Sequence, residues 1–308
     1  MMVRWALMLC CLLAAGCAAE REPGELFGPS EAGTLVVDAL LIVDHPLPDL
    51  FVRQTVAPGV RYTDAVSAVT DAHVEVRQGA QVFRYRTDPD SLGRYLPPER
   101  PPPVMPNTAY ALTVRSEGRE ARATTRTPGR FQIREVVLLD EETLEVRQRL
   151  RTFIDGADQV FTAPENQVVY RDGRLEIRFQ PIDVPGYQVG IISLDRNSER
   201  VLEDDFLEEE DYEERERQAS SPAFVAPDGK LPMPWFVVSF AGRHMIRVYA
   251  LDKNWFDFAR SSPEYQDGGF GGLAGDNFER PLFHVAGGIG LFGSASVDSL
   301  GFVLVPRE

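Results

Sequence analysis

In the stretch GGIGLFGSAS, residues 287–296, Gly288, Gly290 and Gly293 have the spacing of a dinucleotide-binding loop. Such a loop must follow a strand, begin a helix and lie in a βαβ unit with an acidic residue about 20 positions later. Only fifteen residues follow Gly293, and they read as a turn and then a strand (SASVDSLGFVLVPRE). We therefore interpret the glycines as sites of tight turns and close backbone packing where two strands meet, and we expect no nucleotide and no other cofactor.

Short segments that alternate apolar and polar residues make up the chain before residue 128. A β-branched run at residues 34–43 ends at a proline-rich stop, and His73-Val74-Glu75-Val76-Arg77 alternates apolar with charged side chains. Strands that recur about every 8 to 12 residues, joined by Gly and Pro turns, predict a β-sandwich of immunoglobulin-like or transthyretin-like type over residues 33–128. The other predicted strands here are residues 82–85, 110–115 and 120–127.

The β pattern continues after the turn Thr127-Pro128-Gly129, which we predict to be the domain boundary. The second domain, residues 129–308, is predicted to hold a short helix at 252–260 that Asp252 caps, together with an acidic insertion at 199–217. The sequence thus predicts an all-β fold with two tandem β-sandwich domains. Predicted strands in the second domain are residues 131–139, 146–154, 167–170, 175–179, 187–194, 235–240 and 245–251, and final strands around Phe283, 289–292 and 299–305.

The amino-terminal residues have the pattern of an export signal. Arg4 precedes an apolar run at residues 5–15 that is too short to span a bilayer, and Leu13-Ala14-Ala15-Gly16-Cys17 resembles a bacterial lipobox. Cleavage before Cys17 would remove a signal peptide of residues 1–16 and leave Cys17 lipidated, followed by a flexible polar tether over residues 17–32. The alternative is an ordinary secretory signal that is cleaved near residues 18–19 and discards Cys17.

Further features of the sequence agree with a lipid-anchored envelope protein. The other two cysteines, Cys10 and Cys11, lie in the signal, so the mature chain would have no disulfide and would depend on core burial. Ala18 and Ala19 follow Cys17, and no aspartate there resembles an inner-membrane retention signal. We therefore expect the protein to be anchored in the outer membrane.

The charge distribution argues against a nucleic-acid partner. The formal net charge is −15, and the only lysines are Lys230 and Lys253, whereas phosphate binding needs clustered basic residues. Residues 199–217 alone contain eleven acidic residues and three arginines. This run is either a solvated loop or helical insertion, or a diffuse cation site or contact for a basic partner through Phe206 and Tyr212.

Residue patterns for catalysis or metal binding are missing from the sequence. The four histidines, His45, His73, His244 and His284, have no metal-ligand spacing, and there is no Gly-x-Ser-x-Gly motif. We therefore predict neither an enzyme nor a metal site. A set of aromatic residues either lines a sugar or peptide groove or packs in the core, and from it we take Trp235, Trp255 and Phe256 as candidate ligand or partner contacts.

Several landmarks together resemble domain-of-unknown-function family four-two-four-nine. They are the lipobox at Cys17, residues 34–39 (TLVVDA), 71–76 (DAHVEV) and 110–114 (YALTV), and the ending PLFHVAGGIGLFGSA at 281–295. Members usually end in Asn-Ile-x-Gly-Gly-x-Gly-x-Phe-Gly, where this chain has His284-Val-Ala-Gly-Gly. The resemblance covers nearly the whole mature chain. It implies an envelope lipoprotein, often encoded near TonB-dependent receptors, and no established activity.

Three functions follow as hypotheses. The leading one is a non-enzymatic accessory lipoprotein that assists an outer-membrane TonB-dependent transporter or binds a ligand. The second is a structural or adhesive surface protein whose acidic run binds cations. The third is a hydrolase, for which a pocket combining Asp or Glu with Arg would be the evidence.

Overall fold

The computed structural model describes residues 32–151, 161–201, 218–262 and 281–307. The protein is mostly β, with several sheets and few helices. The strands are β1 Leu35–Ile42, β2 Leu50–Gln54, β3 His73–Gln78, β4 Gln81–Arg84, β5 Arg86–Thr87, β6 Arg94–Leu96, β7 Ala109–Ser116, β8 Arg119–Arg126, β9 Ile133–Leu139, β10 Val146–Leu150, β11 Gln167–Val169, β12 Arg174–Phe179, β13 Gly186–Ser193, β14 Gln218–Ser220, β15 Lys230–Met233, β16 Gly242–Leu251, β17 Val285–Ala286 and β18 Gly288–Val305. The helices are α1 Asp64–Ser67 and α2 Lys253–Ser261, and 3-10 turns lie at Pro164–Asn166 and Trp235–Val237.

Several sequence predictions fall outside the described residues. These are Cys17 with the signal peptide, nearly all of the tether, and Phe206 and Tyr212 with residues 202–217 of the acidic insertion. They stay predictions.

The described strands form three sheets. A nine-stranded sheet has the order β14-β13-β16-β18-β1-β2-β6-β5, with β11 also paired to β18. A five-stranded sheet has the order β17-β8-β7-β3-β4, and a four-stranded sheet the order β10-β9-β12-β15. Among the described residues, no helix is long and apolar enough to cross a membrane.

Strand β18 is the element that joins the two ends of the chain. Its first part pairs in parallel with β1, from Leu35↔Gly288 to Ile42↔Ala295. Its second part pairs antiparallel with β16, from Leu251↔Ala295 to Gly242↔Leu304. One strand of 18 residues therefore runs through the nine-stranded sheet.

The prediction of a turn between two short strands in this region is wrong. The residues that suggested the turn are Ser294, Ser296 and Asp298, and each makes a side-chain hydrogen bond within the structure. Ser296 Oγ accepts from Phe131 N at 3.0 Å, and Asp298 Oδ2 accepts from Ile133 N at 2.7 Å. Polar residues that are typical of turns instead hold the strand against its neighbours.

Two hydrophobic cores lie on this framework. In the first, inward-facing residues of β1 such as Val37 pack with residues of the five-stranded sheet and with Phe292. In the second, residues of β13 and β16 pack with residues of β9 and β12 and with Phe302. Strand β18 thus contributes a fully buried phenylalanine to each core, and burial of such a side chain stabilises by about 1.5–3 kcal/mol. The domain boundary at residues 128–129 stays a prediction, and β18, which follows it in the sequence, contributes side chains to both cores.

The prediction of close backbone packing at the glycines of the 287–296 stretch is confirmed. A β-carbon on Gly288 would lie 2.7 Å from Leu35 O, and one on Gly290 would overlap Val37 O. Gly290 also has a φ of +108°, a conformation that favours glycine. All three glycines of the motif lie inside β18, so the segment does not begin a helix.

Residues 235–240, predicted to form a strand, instead begin with a 3-10 turn at Trp235–Val237. Pro234 precedes the turn, and the indole Nε1 of Trp235 donates to Gly173 O at 2.6 Å. Since the polar end of the indole needs a partner when it is partly buried, this bond fixes the turn against the start of β12.

Candidate functional site

Helix α2 is held at a junction of three elements by the carboxylate of Asp252. This predicted N-cap is confirmed, because Asp252 Oδ1 accepts from Trp255 N at 2.9 Å. Its other oxygen accepts from the Thr125 hydroxyl of β8, and Thr125 Oγ1 lies 2.9 Å from Ser294 Oγ of β18. Burial raises the pKa of Asp252, and these hydrogen bonds oppose the rise.

Two glycines allow α2 to lie directly on the nine-stranded sheet. A β-carbon on Gly293 would lie 3.0 Å from the Cβ of Trp255, and one on Gly186 would overlap the ring of Phe256. Asn254 adds two hydrogen bonds from Nδ2, to Thr124 O at 2.7 Å and Phe292 O at 2.8 Å. The helix is therefore seated by close packing as well as by its cap.

A buried carboxylate, Asp257, ties α2 to the segment before β17. It accepts from Lys253 Nζ at 2.6 Å, from His284 Nε2 at 2.8 Å and from Arg260 Nε at 3.1 Å. Burial alone would raise the pKa of Asp257, but the three donors together lower it. His284 thus forms part of the attachment of α2.

A groove lies between α2 and the outer face of the nine-stranded sheet, and we call it the α2 groove. Its volume is about 520 Å³, within the usual range for small-ligand sites. Trp255 and Phe258 of α2 and Tyr249 of β16 line it, and the rings of Tyr249 and Trp255 are 5.5 Å apart and tilted by 46°. The lining residues come from β1, β18, β16, β13 and β14, so the groove crosses five strands. At about 4.8 Å per strand spacing, its length is roughly 19 Å.

Two opposite charges line the α2 groove. Asp38 of β1 and Arg247 of β16 both border it, and neither forms an ion pair with another residue of the described ranges. Burial of the carboxyl raises the pKa of Asp38 although the side chain reaches solvent, because the groove walls displace part of its water; Arg53 opposes this rise. Together with the aromatic wall, these groups provide an acceptor for a donor or cation and a guanidinium for an anion.

A second cavity, the Trp235 cleft, opens between β14, at the edge of the nine-stranded sheet, and β15, at the edge of the four-stranded sheet. It also has a volume of about 520 Å³ and lies between β15 with the Trp235–Val237 turn on one side and β13 with β14 on the other. Its wall is mainly apolar, and Val189 and Ile191 of the second core form part of it. The cleft is therefore an extension of the space between two sheets.

The structure places the candidate contact residues in different locations. Trp235 lines the Trp235 cleft and Trp255 lines the α2 groove, whereas Phe256 packs on Gly186 and borders neither. Sequence reasoning missed Asp38 and Arg247, which lie far apart along the chain. A charged residue inside the apolar run at residues 34–43 was a signal for Asp38.

A comparison with family models gives one match. The model described as Domain of unknown function (DUF4249) matches residues 22–300, most of the chain. The chain belongs to the DUF4249 family. No curated protein matches it.

The buried histidine of this DUF4249 protein, His244, makes structural contacts. His244 is 1% exposed, donates from Nδ1 to Gly242 O at 2.9 Å and stacks on Phe302 at 5.2 Å. Burial lowers the pKa of His244. Within the described ranges, no three His, Cys, Asp or Glu side chains are grouped so that they could hold a metal ion.

Proposed function

We propose that this DUF4249 protein is a non-enzymatic cell-envelope lipoprotein, anchored in the outer membrane through Cys17. In this proposal it serves as an accessory or ligand-binding component of a TonB-dependent uptake system. The lipobox-like sequence at Leu13–Cys17 supports the anchor, and the setting is what the resemblance to the family implies. We also propose that the two cores mark two sandwich-type units, residues 33–128 and 129–308, the first of immunoglobulin-like or transthyretin-like type.

The observation that carries the proposal is the α2 groove. An aromatic wall and two charged side chains without ion-pair partners in the described ranges form a surface with unused binding capacity. Partly exposed Trp and Tyr rings are enriched at binding sites, since they offer a large apolar face and one polar group. The groove is also held by a rigid frame, because Asp252, Asp257 and two glycines fix the position of α2.

Capture of the neighbour from native membranes tests this proposal. The lipidated protein is affinity-purified from detergent-solubilised membranes, with Arg247→Glu and Trp255→Ala as groove variants. We expect the wild type to recover a β-barrel transporter and both groove variants to recover much less. Arg126→Glu is the matched control, because Arg126 is an exposed arginine of the five-stranded sheet that does not line the groove.

If the purification recovers the protein with lipid but without any transporter, the proposal is contradicted. Equal recovery of a transporter by all variants would place the contact elsewhere and exclude the groove as the partner surface. A Cys17→Ser variant should be released from the membrane fraction if Cys17 carries the anchor.

A hydrolase is the second candidate, since a carboxyl group of raised pKa and an arginine both line the α2 groove. Asp38 would be the proton donor in that case. Turnover of oligosaccharide or peptide substrates by the wild type but not by Asp38→Asn would favour an enzyme. Binding without turnover by both forms would favour the lipoprotein accessory role.

A further inference from the structure

We propose that the Trp235 cleft is a second binding site and that it takes a long-chain fatty acid. In this arrangement the alkyl chain enters the cleft between the sheets and the carboxylate remains at the mouth beside Arg174. Ile191 and Ser220 border both cavities, but Trp235 and Arg174 line only the cleft, so the inference goes beyond the proposed function and does not depend on it.

The wall of the cleft favours an alkyl chain. The apolar side chains that line it include Val189, Ile191, Phe224, Leu231, Met233 and Val237. Water inside a protein needs two to four polar partners, and an apolar cavity without them stays dry and accepts hydrocarbons. The two serines at its edge are already engaged, because Ser220 Oγ accepts from Gln188 Nε2 at 3.0 Å, and Ser221 Oγ accepts from Val189 N at 3.0 Å and donates to Pro222 O at 2.8 Å.

The position of the cleft between two sheets favours a thin chain over a bulky group. It lies between strands of two sheets that pack face to face, and such sheets are about 10 Å apart. A slot of this kind admits a linear alkyl chain along its length. The volume of about 520 Å³ is that of a ligand site and not of a packing defect.

The charges at the mouth favour a carboxylate. Arg174, at the start of β12, is exposed at the rim and forms no ion pair with another residue of the described ranges. A guanidinium binds a carboxylate through two parallel hydrogen bonds. Glu141 is also at the rim and would repel the same carboxylate. The two side chains therefore predict opposite effects on binding.

Tryptophan fluorescence offers a direct test in the mature protein. The chain has three tryptophans, and Trp5 lies in the predicted signal peptide, so Trp255→Phe leaves Trp235 as the single reporter. We expect stearic acid brominated at mid-chain to quench this variant saturably, with one site. The opposite variant, Trp235→Phe, keeps Trp255 in the α2 groove and should not be quenched. Absence of saturable quenching of Trp235, or equal quenching of both variants, would overturn the proposal.

Chain length and head group then test the two halves of the site. Each added methylene should tighten binding by about fourfold until the cleft is full. Arg174→Ala should weaken the fatty acid about tenfold or more and leave the matching alcohol unchanged, whereas Glu141→Gln should tighten the fatty acid. Arg126→Ala is the control and should change neither ligand.

A filling variant tests the location. Leu231→Trp adds volume at the partly buried edge of the cleft and should abolish binding of both the acid and the alcohol. Circular dichroism and the melting temperature show whether this variant folds. Because Arg174→Ala changes an exposed residue, it still decides the question if Leu231→Trp does not fold. Undiminished binding by both variants would exclude the cleft.

Discussion

Gly290 of β18 lies so close to Val37 of β1 that a β-carbon on the glycine would overlap the Val37 carbonyl oxygen. The two residues are also partners in the parallel register that joins the two ends of the chain. The contact shows why a glycine-rich stretch, which resembles a phosphate-binding loop in spacing, occurs inside a strand. Here a missing side chain makes room for a neighbouring backbone and not for a ligand.

Gly290→Ala is expected to destabilise the protein by more than about 2 kcal/mol, because it combines a clash with the Val37 carbonyl and a positive φ. Gly79→Ala is the matched control, since Gly79 also has a positive φ but has open space around it. It should lose only about 1 kcal/mol. Urea unfolding of both variants measures the difference, and equal losses would show that the contact with β1 is unimportant.

Asp252→Ala is expected to lower the free energy of unfolding by about 1–3 kcal/mol, because it removes the cap of α2 and an acceptor for the buried Thr125 hydroxyl. Asp252→Asn keeps an acceptor for Trp255 N and should cost less than about 1 kcal/mol. Since burial raises the pKa of Asp252, ionisation costs stability at neutral pH, and asparagine avoids that cost. If Asp252→Asn lowers the free energy of unfolding as much as Asp252→Ala does, the negative charge of Asp252 is what stabilises the protein.

Acid is expected to destabilise the protein through His244. Its folded-state pKa lies below the unfolded value, so the unfolded chain binds the proton more tightly. The stability that neutral His244 contributes is present above the unfolded pKa and is lost as pH falls from about 7 to 5.

His244→Asn tests this pH dependence because it retains a donor near Gly242 O but does not titrate. Unfolding free energies at pH 7 and pH 5 should differ less in this variant than in the wild type. An unchanged difference would assign the acid sensitivity to other groups, such as Asp195, whose charge acts on His244.

Unfolding is expected to be a single transition although the protein has two cores. Strand β18 places Phe292 in one core and Phe302 in the other, so melting of either core disrupts a strand that the other needs. Phe292→Ala and Phe302→Ala should each cost about 3–5 kcal/mol and lower the same melting temperature. Two calorimetric peaks, with each variant moving only one, would contradict this coupling.

Local sequence patterns predicted most strands of the five-stranded sheet well. Residues 73–77, 110–115 and 120–127 alternate apolar and polar side chains, and β3, β7 and β8 lie there. The continuity of β18 was not predictable in the same way. Its Ser and Asp residues make hydrogen bonds to distant partners such as Phe131 N, which a local pattern does not contain.

The candidate site was only partly predictable for a related reason. Trp235 and Trp255 were identified by residue type, and each lines a cavity. Asp38 and Arg247 line the same groove only because β1 lies beside β18, and β18 lies beside β16. That order of strands arises from pairing between distant segments, so no spacing in the sequence reveals it.

The position of β18 along the chain has a consequence for how the polypeptide matures. Leu35 is synthesised long before its partner Gly288, so one edge of β1 has no neighbour while the intervening residues are made. Neither hydrophobic interior can close before residues 288–305 emerge, and such distant pairing slows folding. The nascent protein is therefore expected to need holding chaperones and to stay sensitive to proteases until its synthesis is almost complete.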